Sequence, residues 1–197
     1  MAPKILTIQL RWLTGFMQTK KEKRDRPSIT EGSAPSPKLL EIRRDFQVPV
    51  VRLFEAFASA EALKGWWWPD GLHADRIDLD FREGGRYFIS MKGQVHGKDA
   101  SGGMTGEFEE IVKNERIVMT DSFADETGRV ISAQEAGMPG RWPEQIFITF
   151  EFEAAGNEAS RFGLAQQGIP DEMQKDCIQG WSESFDKLES YLAGRKN

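Results

Sequence analysis

Few side chains in this chain have the type and spacing for acid–base or covalent chemistry. There are two histidines, His73 and His96, and one cysteine, Cys177. Neither histidine has a Ser, Cys or second His near it that would suggest a proton relay. Two histidines are also thin material for a His-based metal site. A single cysteine excludes an intramolecular disulfide and a Cys-rich metal cluster. Cys177 lies beside the apolar stripe of a helix and reads as a small packed side chain. Asp78, Asp80, Arg82 and Glu83 bring charges together, but they alternate with Ile77, Leu79 and Phe81 and therefore share the wet face of a strand. An acid–base pair would need an enclosed place with shifted pKa values. No cofactor, no metal and no catalytic residue is expected from these groups.

Aromatic surface is what the chain offers instead. Trp66, Trp67 and Trp68 are consecutive. Neighbours on a short helix or turn diverge by about a third to half a turn, so the spacing predicts at least one of the three at a cavity mouth or on the surface. Arg44 shares a strand face with Leu40, Ile42 and Phe46 and must find a carboxylate, carbonyl groups or a bound anion. Arg86 and Arg161 raise the same question. Gly84-Gly85 reads as a tight turn rather than a phosphate cradle, since no helix follows it.

These residues are placed by a simple order of elements. Leu40 to Phe46 alternates apolar and charged residues as a strand does. Pro49 opens a short helix, Val50 to Ser59, with Val50, Val51, Phe54 and Phe57 on one side. A second short helix, Ala60 to Trp66, stops at Trp68-Pro69-Asp70-Gly71, a strong turn signal. Strands follow at 77–81, Arg86 to Met91, Thr105 to Val112, Arg116 to Phe123, Ile146 to Glu153 and Ser160 to Gln166. Gly93 to Gly106 reads as a glycine-rich hairpin loop holding His96, and His73 also falls in a loop. Asp125 to Pro143 is a long Gly/Pro-containing loop. The chain closes on a helix capped by Asp171 and stopped at Gly194-Arg195-Lys196, with Ile178, Trp181, Phe185, Leu188 and Leu192 on one face. A stripe with Trp and Phe at its centre needs a large apolar partner, and the strands before it supply one sheet face. Alternating strands with short connections indicate a twisted antiparallel sheet with one covered face. A sheet curled around one helix leaves a space between them.

Charge narrows the partners. Residues 1–37 hold seven Lys/Arg and three Asp/Glu, so of 26 basic and 31 acidic residues the rest of the chain keeps 19 and 28. An acidic body is a poor binder of phosphate backbones, and nucleic acid is excluded as a partner. The apolar-rich start, from Ile5 to Met17, is too short and interrupted to span a bilayer and lacks the layout of a secretory signal. Residues 1–37, with a charge run and a Ser/Pro-rich linker, read as a flexible basic extension, and residues 38–197 as one domain in the cytoplasm.

Four ordered motifs add a resemblance. They are Val50-Val-Arg-Leu-Phe-Glu-Ala-Phe through Leu63-Lys-Gly-Trp-Trp-Trp-Pro, Phe81-Arg-Glu-Gly-Gly-Arg-Tyr, Gly106-Glu-Phe-Glu-Glu-Ile-Val, and Gly180-Trp-Ser-Glu-Ser-Phe-Asp-Lys-Leu. Over about residues 38–193 the chain resembles the stand-alone domains related to the C-terminal domain of the activator of the 90-kDa heat-shock chaperone ATPase, in the START-like (SRPBCC) superfamily. The resemblance implies an α+β helix-grip fold, a sheet of about seven strands wrapped on the C-terminal helix. It implies a small apolar or amphipathic ligand between helix and sheet, held by Phe54, Trp66, Trp67, Phe81, Tyr87, Met119, Phe150, Trp181 and Phe185, with Arg44 or Tyr87 as polar anchor. Two alternatives stand beside it. One is an interaction domain, with a protein partner or a second copy; the other is a cyclase- or hydrolase-type enzyme using the same cavity.

Overall fold

A computed structural model of the chain describes residues 39–95 and 97–194. The expectations for residues 1–37, His96 and the Arg195-Lys196 helix stop lie outside the described residues. The elements run β1 (Leu40–Phe46), α1 (Val50–Glu55), α2 (Ala60–Lys64), β2 (Leu72–Leu79), β3 (Arg86–Val95), β4 (Lys98–Val112), β5 (Arg116–Ala124), β6 (Ile146–Ala154), β7 (Ser160–Gln167), then a 3-10 turn (Asp171–Met173) and α3 (Gln174–Gly194). The seven strands form one antiparallel sheet in the order β1-β7-β6-β5-β4-β3-β2. α3 lies along one face, which is the helix-grip arrangement expected of the α+β class.

The alternating strands behave as their period dictates. In β6, Ile146, Ile148, Phe150 and Phe152 are buried, while Phe147, Glu151 and Glu153 face out. The Gly84-Gly85 turn holds Gly84 at φ 69°, and a side chain at Gly85 would run into the Asp80 carbonyl. That satisfies the turn reading with no need for an anion.

Several local expectations fail for identifiable reasons. Residues 93–95 and 98–106 are strand rather than loop: β3 and β4 pair from Arg86↔Glu107 to Val95↔Lys98. The glycines there mark close approach, since a side chain at Gly93 would strike the Gly71 carbonyl and one at Gly106 the Thr120 carbonyl. His73 lies in β2, exposed, because that strand starts directly after the Gly71 turn. α1 and α2 are shorter than expected, and Ser59 separates them by accepting the Ala62 N–H at 3.2 Å. Val51 is 42 % exposed, and Leu53 and Phe54 are the buried pair on α1. Asp171 sits inside the 3-10 turn, whose first carbonyl acceptor is Pro170, and the α-helix starts three residues later. Ile178 is 41 % exposed, for the face that meets the sheet is turned one residue back, to Cys177, Gly180, Trp181, Ser184, Phe185, Leu188 and Leu192.

All three tryptophans are buried, at 0 %, 8 % and 3 % exposure for Trp66, Trp67 and Trp68. None of the three lies on the surface, because the segment after α2 is enclosed on several sides, and Trp67 is the one that borders a cavity. Trp66 enters the core and donates from Nε1 to the Ala56 carbonyl at 2.9 Å. Trp67 meets Trp181 edge-on at 5.3 Å between ring centres. Trp68 donates back to the Lys64 carbonyl, while Lys187 on α3 donates to the Trp68 carbonyl at 2.7 Å. Diverging rings thus each find a different wall.

Candidate functional site

The space between sheet and helix is unevenly filled. Under α3 from Phe185 to Leu192 it is a ring-packed core, with Phe57 against Trp66 at 4.7 Å, Phe57 against Phe152 at 5.1 Å and Phe162 against Phe185 at 5.0 Å. Toward the first turns of α3 a cavity of about 330 Å³ opens between the sheet, the helix and the 125–145 loop. Its walls are Met91 of β3, Met104 of β4, Phe123 of β5, Ile146 and Ile148 of β6, Met173, and Trp67 with Trp181. α3 presents Cys177, Gly180 and Ser184 to it, side chains too small to fill the gap.

The loop closes the cavity because its own sequence folds it inward. Asp125 accepts the Thr127 and Arg129 N–H groups at 3.0 and 3.1 Å, and Val130 bridges back to Ala124. Ser132 and Glu135 cap each other through side chain and backbone. This turns Ile131, Met138 and Trp142 toward the cavity, with Trp142 edge-on to Phe123 at 5.2 Å.

One buried carboxyl faces this apolar lining. On β5 the alternation Ile117, Met119, Asp121 brings Asp121 to the inner face, where it is 2 % exposed and lines the cavity. The Tyr87 hydroxyl of β3 lies 2.7 Å from Asp121 Oδ1 and 2.8 Å from the Thr120 carbonyl. Asp121 Oδ2 has no hydrogen-bond partner among the described residues. Burial lifts the Asp121 carboxyl to about 7, against the pull of the Tyr87 hydroxyl and, less, the Ser122 backbone. Burial, and then the neighbouring Asp121, push the Tyr87 phenol well above its usual range. Gln166 of β7, also buried and lining the cavity, accepts the Trp181 Nε1–H at 2.9 Å. Burial drives the Cys177 thiol up to about 12, so it stays protonated and is a poor nucleophile. The rim is acidic, with Asp75, Asp125, Glu126, Glu135 and Glu144 around Lys92.

The residues expected to hold a ligand divide between these regions. Trp67 and Trp181 line the cavity. Tyr87, Met119 and Phe150 border only a void of about 10 Å³ deeper in the sheet, and Tyr87 reaches the cavity through Asp121. Phe54, Trp66 and Phe185 are core, and Phe81 packs edge-on to Phe54 at 6.0 Å and to Phe108 at 5.2 Å. Arg44 is bound to Asp186 of α3 at 2.6 Å, away from the cavity, which answers its need for a carboxylate. Arg161 pairs with Glu153 on the outer face, and Arg86 is exposed. Sequence reading missed Asp121, Gln166 and the loop residues. The parity of Asp121 with Ile117 and Met119 was the signal for the first, and Ile131, Met138 and Trp142 inside a loop were the signal for the last.

Among the described residues no helix is long and apolar enough to cross a membrane, and no group of three His, Cys, Asp or Glu could hold a metal ion. Comparison with known structures finds the same fold in several bacterial proteins. A Silicibacter pomeroyi protein titled AHSA1 matches with TM-score 0.65 and 25 % identity over 81 % of this chain and 100 % of its own. A Chromobacterium violaceum protein matches with TM-score 0.63 and 26 % identity over 78 % and 96 %, and a Mycobacterium smegmatis protein with TM-score 0.65 and 21 % identity over 81 % and 93 %. No curated protein matches the chain. The model of the family described as activator of Hsp90 ATPase homolog 1-like protein matches residues 47–193, most of the chain and nearly all of the described fold, and the chain belongs to that family of START-like domains.

Proposed function

We propose that this domain binds a small apolar or amphipathic molecule in the cavity beneath the 125–145 loop. The observation that carries this reading is the contrast along α3: rings fill the space under its second half, while Cys177, Gly180 and Ser184 leave the space under its first half open. An apolar hollow with a few convergent polar groups, here Asp121 and Gln166, is the usual form of a small-molecule site. The START-like fold, a ligand-binding type in general, supports it. In this reading residues 38–197 act as the binding domain in the cytoplasm. The interaction reading has less support, since the Trp triplet that would have served as its contact is buried. An enzymatic reading would rest on the Asp121–Tyr87 pair, and loss of turnover at unchanged affinity in Asp121→Asn would favour it.

A neutral solvatochromic dye such as Nile red tests the proposal. The native protein is expected to bind it with a blue shift and a fall in Trp emission, since Trp67 and Trp181 stand in the wall. Gly180→Leu places a side chain in the hollow and is expected to weaken binding at least about tenfold, roughly 1.4 kcal/mol. Unchanged binding in a folded Gly180→Leu protein would overturn the proposal. Native mass spectrometry of the freshly purified protein would then identify any molecule carried along.

A further inference from the structure

We infer that the ligand is an uncharged apolar molecule carrying an acceptor oxygen, a ketone, ester or amide carbonyl, which takes the unspent N–H groups of Gln166. The inference rests on the binding reading above and adds the chemical class.

The donors follow from how Gln166 is held. It lies on the inner face of β7, with Leu40 of β1 and Ile148 of β6 beside it in register, all three buried. Its amide finds one partner, the Trp181 Nε1–H, 2.9 Å from Oε1. An indole N–H only donates, so the oxygen must be the end turned to Trp181, and the orientation of the amide is fixed. The Gln166 side chain makes no other hydrogen bond among the described residues, which leaves its NH2 group with two protons and no taker.

Gln166 Nε2 differs from Asp121 Oδ2 in reach. Oδ2 is unpartnered and sealed from any probe, whereas Nε2 is not sealed. Gln166 is 4 % exposed and lines the cavity, so the surface that Nε2 keeps opens into it. A buried donor left unmet is costly, and an acceptor oxygen set against it removes that cost. Nearby, Ser122, Ser184 and Trp142 spend their protons on the carbonyls of Glu144, Trp67 and Pro139.

Charge decides which acceptor fits. Lys92 is paired with Asp75, and Arg129 is held by Asp125 at 3.0 Å. Glu126, Glu135 and Glu144 have no ion pair among the described residues, so the rim repels a carboxylate. An anion would also give up its hydration for one neutral amide. An ammonium would turn donors toward donors. A hydroxyl can accept from Gln166, but it brings a proton that needs an acceptor of its own. A carbonyl oxygen has lone pairs and no proton, and it meets Gln166 without adding a new demand.

Three probes on one apolar body separate the possibilities by displacement of Nile red: 2-acetylnaphthalene, 2-ethylnaphthalene and 2-naphthoate. Ketone and hydrocarbon have nearly the same shape, so the hydrocarbon controls for changes in the wall, including release of the Trp181 indole. Gln166→Met, similar in length, is expected to weaken the ketone about fivefold more than the hydrocarbon, the scale of one neutral hydrogen bond. In the wild-type protein at pH 7, 2-naphthoate should bind at least about tenfold more weakly than the ketone. Infrared difference spectra give an independent readout. The C=O stretch of bound 2-acetylnaphthalene should lie below its frequency in hexane and move back toward it in Gln166→Met. If ketone and hydrocarbon weaken equally in Gln166→Met, or the stretch in the wild-type protein matches hexane, the acceptor class is wrong and the binding reading stands. If 2-naphthoate matches the ketone, the ligand need not be uncharged and the inference fails in that part. If Nile red binds and none of the three displaces it, this inference alone fails; if Nile red itself does not bind, the cavity reading fails with it. Should Gln166→Met not fold, the C=O stretch in the wild-type protein still decides.

Discussion

The two halves of α3 face the same sheet and do opposite things. From Phe185 onward the helix presents Phe185, Leu188 and Leu192 to a cluster of rings, with Phe162 and Trp66 centred 5.0 and 6.3 Å from Phe185. One or two turns earlier it presents Cys177, Gly180 and Ser184 to a hollow walled by Met91, Met104 and Met173. Interlocked aromatic rings hold a fixed shape, whereas methionine adapts to what lies beside it. The filled half therefore carries stability, and under the proposed function the open half would carry selectivity. Trp181 is the boundary residue, stacked on Phe185 at 5.5 Å on one side and facing the cavity on the other.

This division can be broken at its strongest point first. Trp66→Ala should destabilise by roughly 3–5 kcal/mol, because Trp66 is fully buried in the filled half. Trp181→Ala should cost only roughly 1–2 kcal/mol, since half its surroundings are already empty. Urea melts of both read the difference, and equal losses would erase the boundary.

Asp121→Asn sharpens the comparison from the open side. The folded carboxyl titrates at about 7, above the ~3.9 of an unfolded chain. Between those values the folded form holds a proton that the unfolded form has lost, so stability falls as pH rises from about 4 to about 7 and is flat above. The asparagine variant lacks this loss. Relative to the parent it should gain roughly 1–3 kcal/mol at pH 8 and little near pH 4, by urea melts at each pH. A gain that did not grow with pH would show the carboxyl is not held neutral by burial. The smallest effect is expected for Arg44→Met. Its ion pair with Asp186 has an exposed acidic partner, so the loss should stay under about 1 kcal/mol in the same melts.

The fold was legible because its strands obey period two, as Ile146 to Phe152 and Leu40 to Phe46 do, and because a 21-residue helix must cover a sheet. Where glycine replaced side chains, between Gly93 and Gly106, the period had no carriers and a strand looked like a loop. The site was legible only at Trp67 and Trp181. Local spacing says which residues turn inward but not whether inward means packed or hollow, a matter of volumes supplied by elements far apart in sequence. That is why Tyr87, Met119 and Phe150, correctly inward, border the sheet core, while the cavity borrows its roof from a loop that no periodicity describes.

The sheet order has a consequence for how this chain is made. β1 leaves the ribosome before every other described element, yet its only neighbour in the sheet is β7, with Leu40 opposite Gln166 and Phe46 opposite Ser160. β2 to β5 can zip up as successive hairpins while synthesis continues. β1 must wait, its apolar side chains uncovered, until β7 has been made. Closing so long a loop is slow on topological grounds. Nascent chains stalled before β7 are thus the species in which an unpaired β1 edge and a roofless sheet would call for a chaperone.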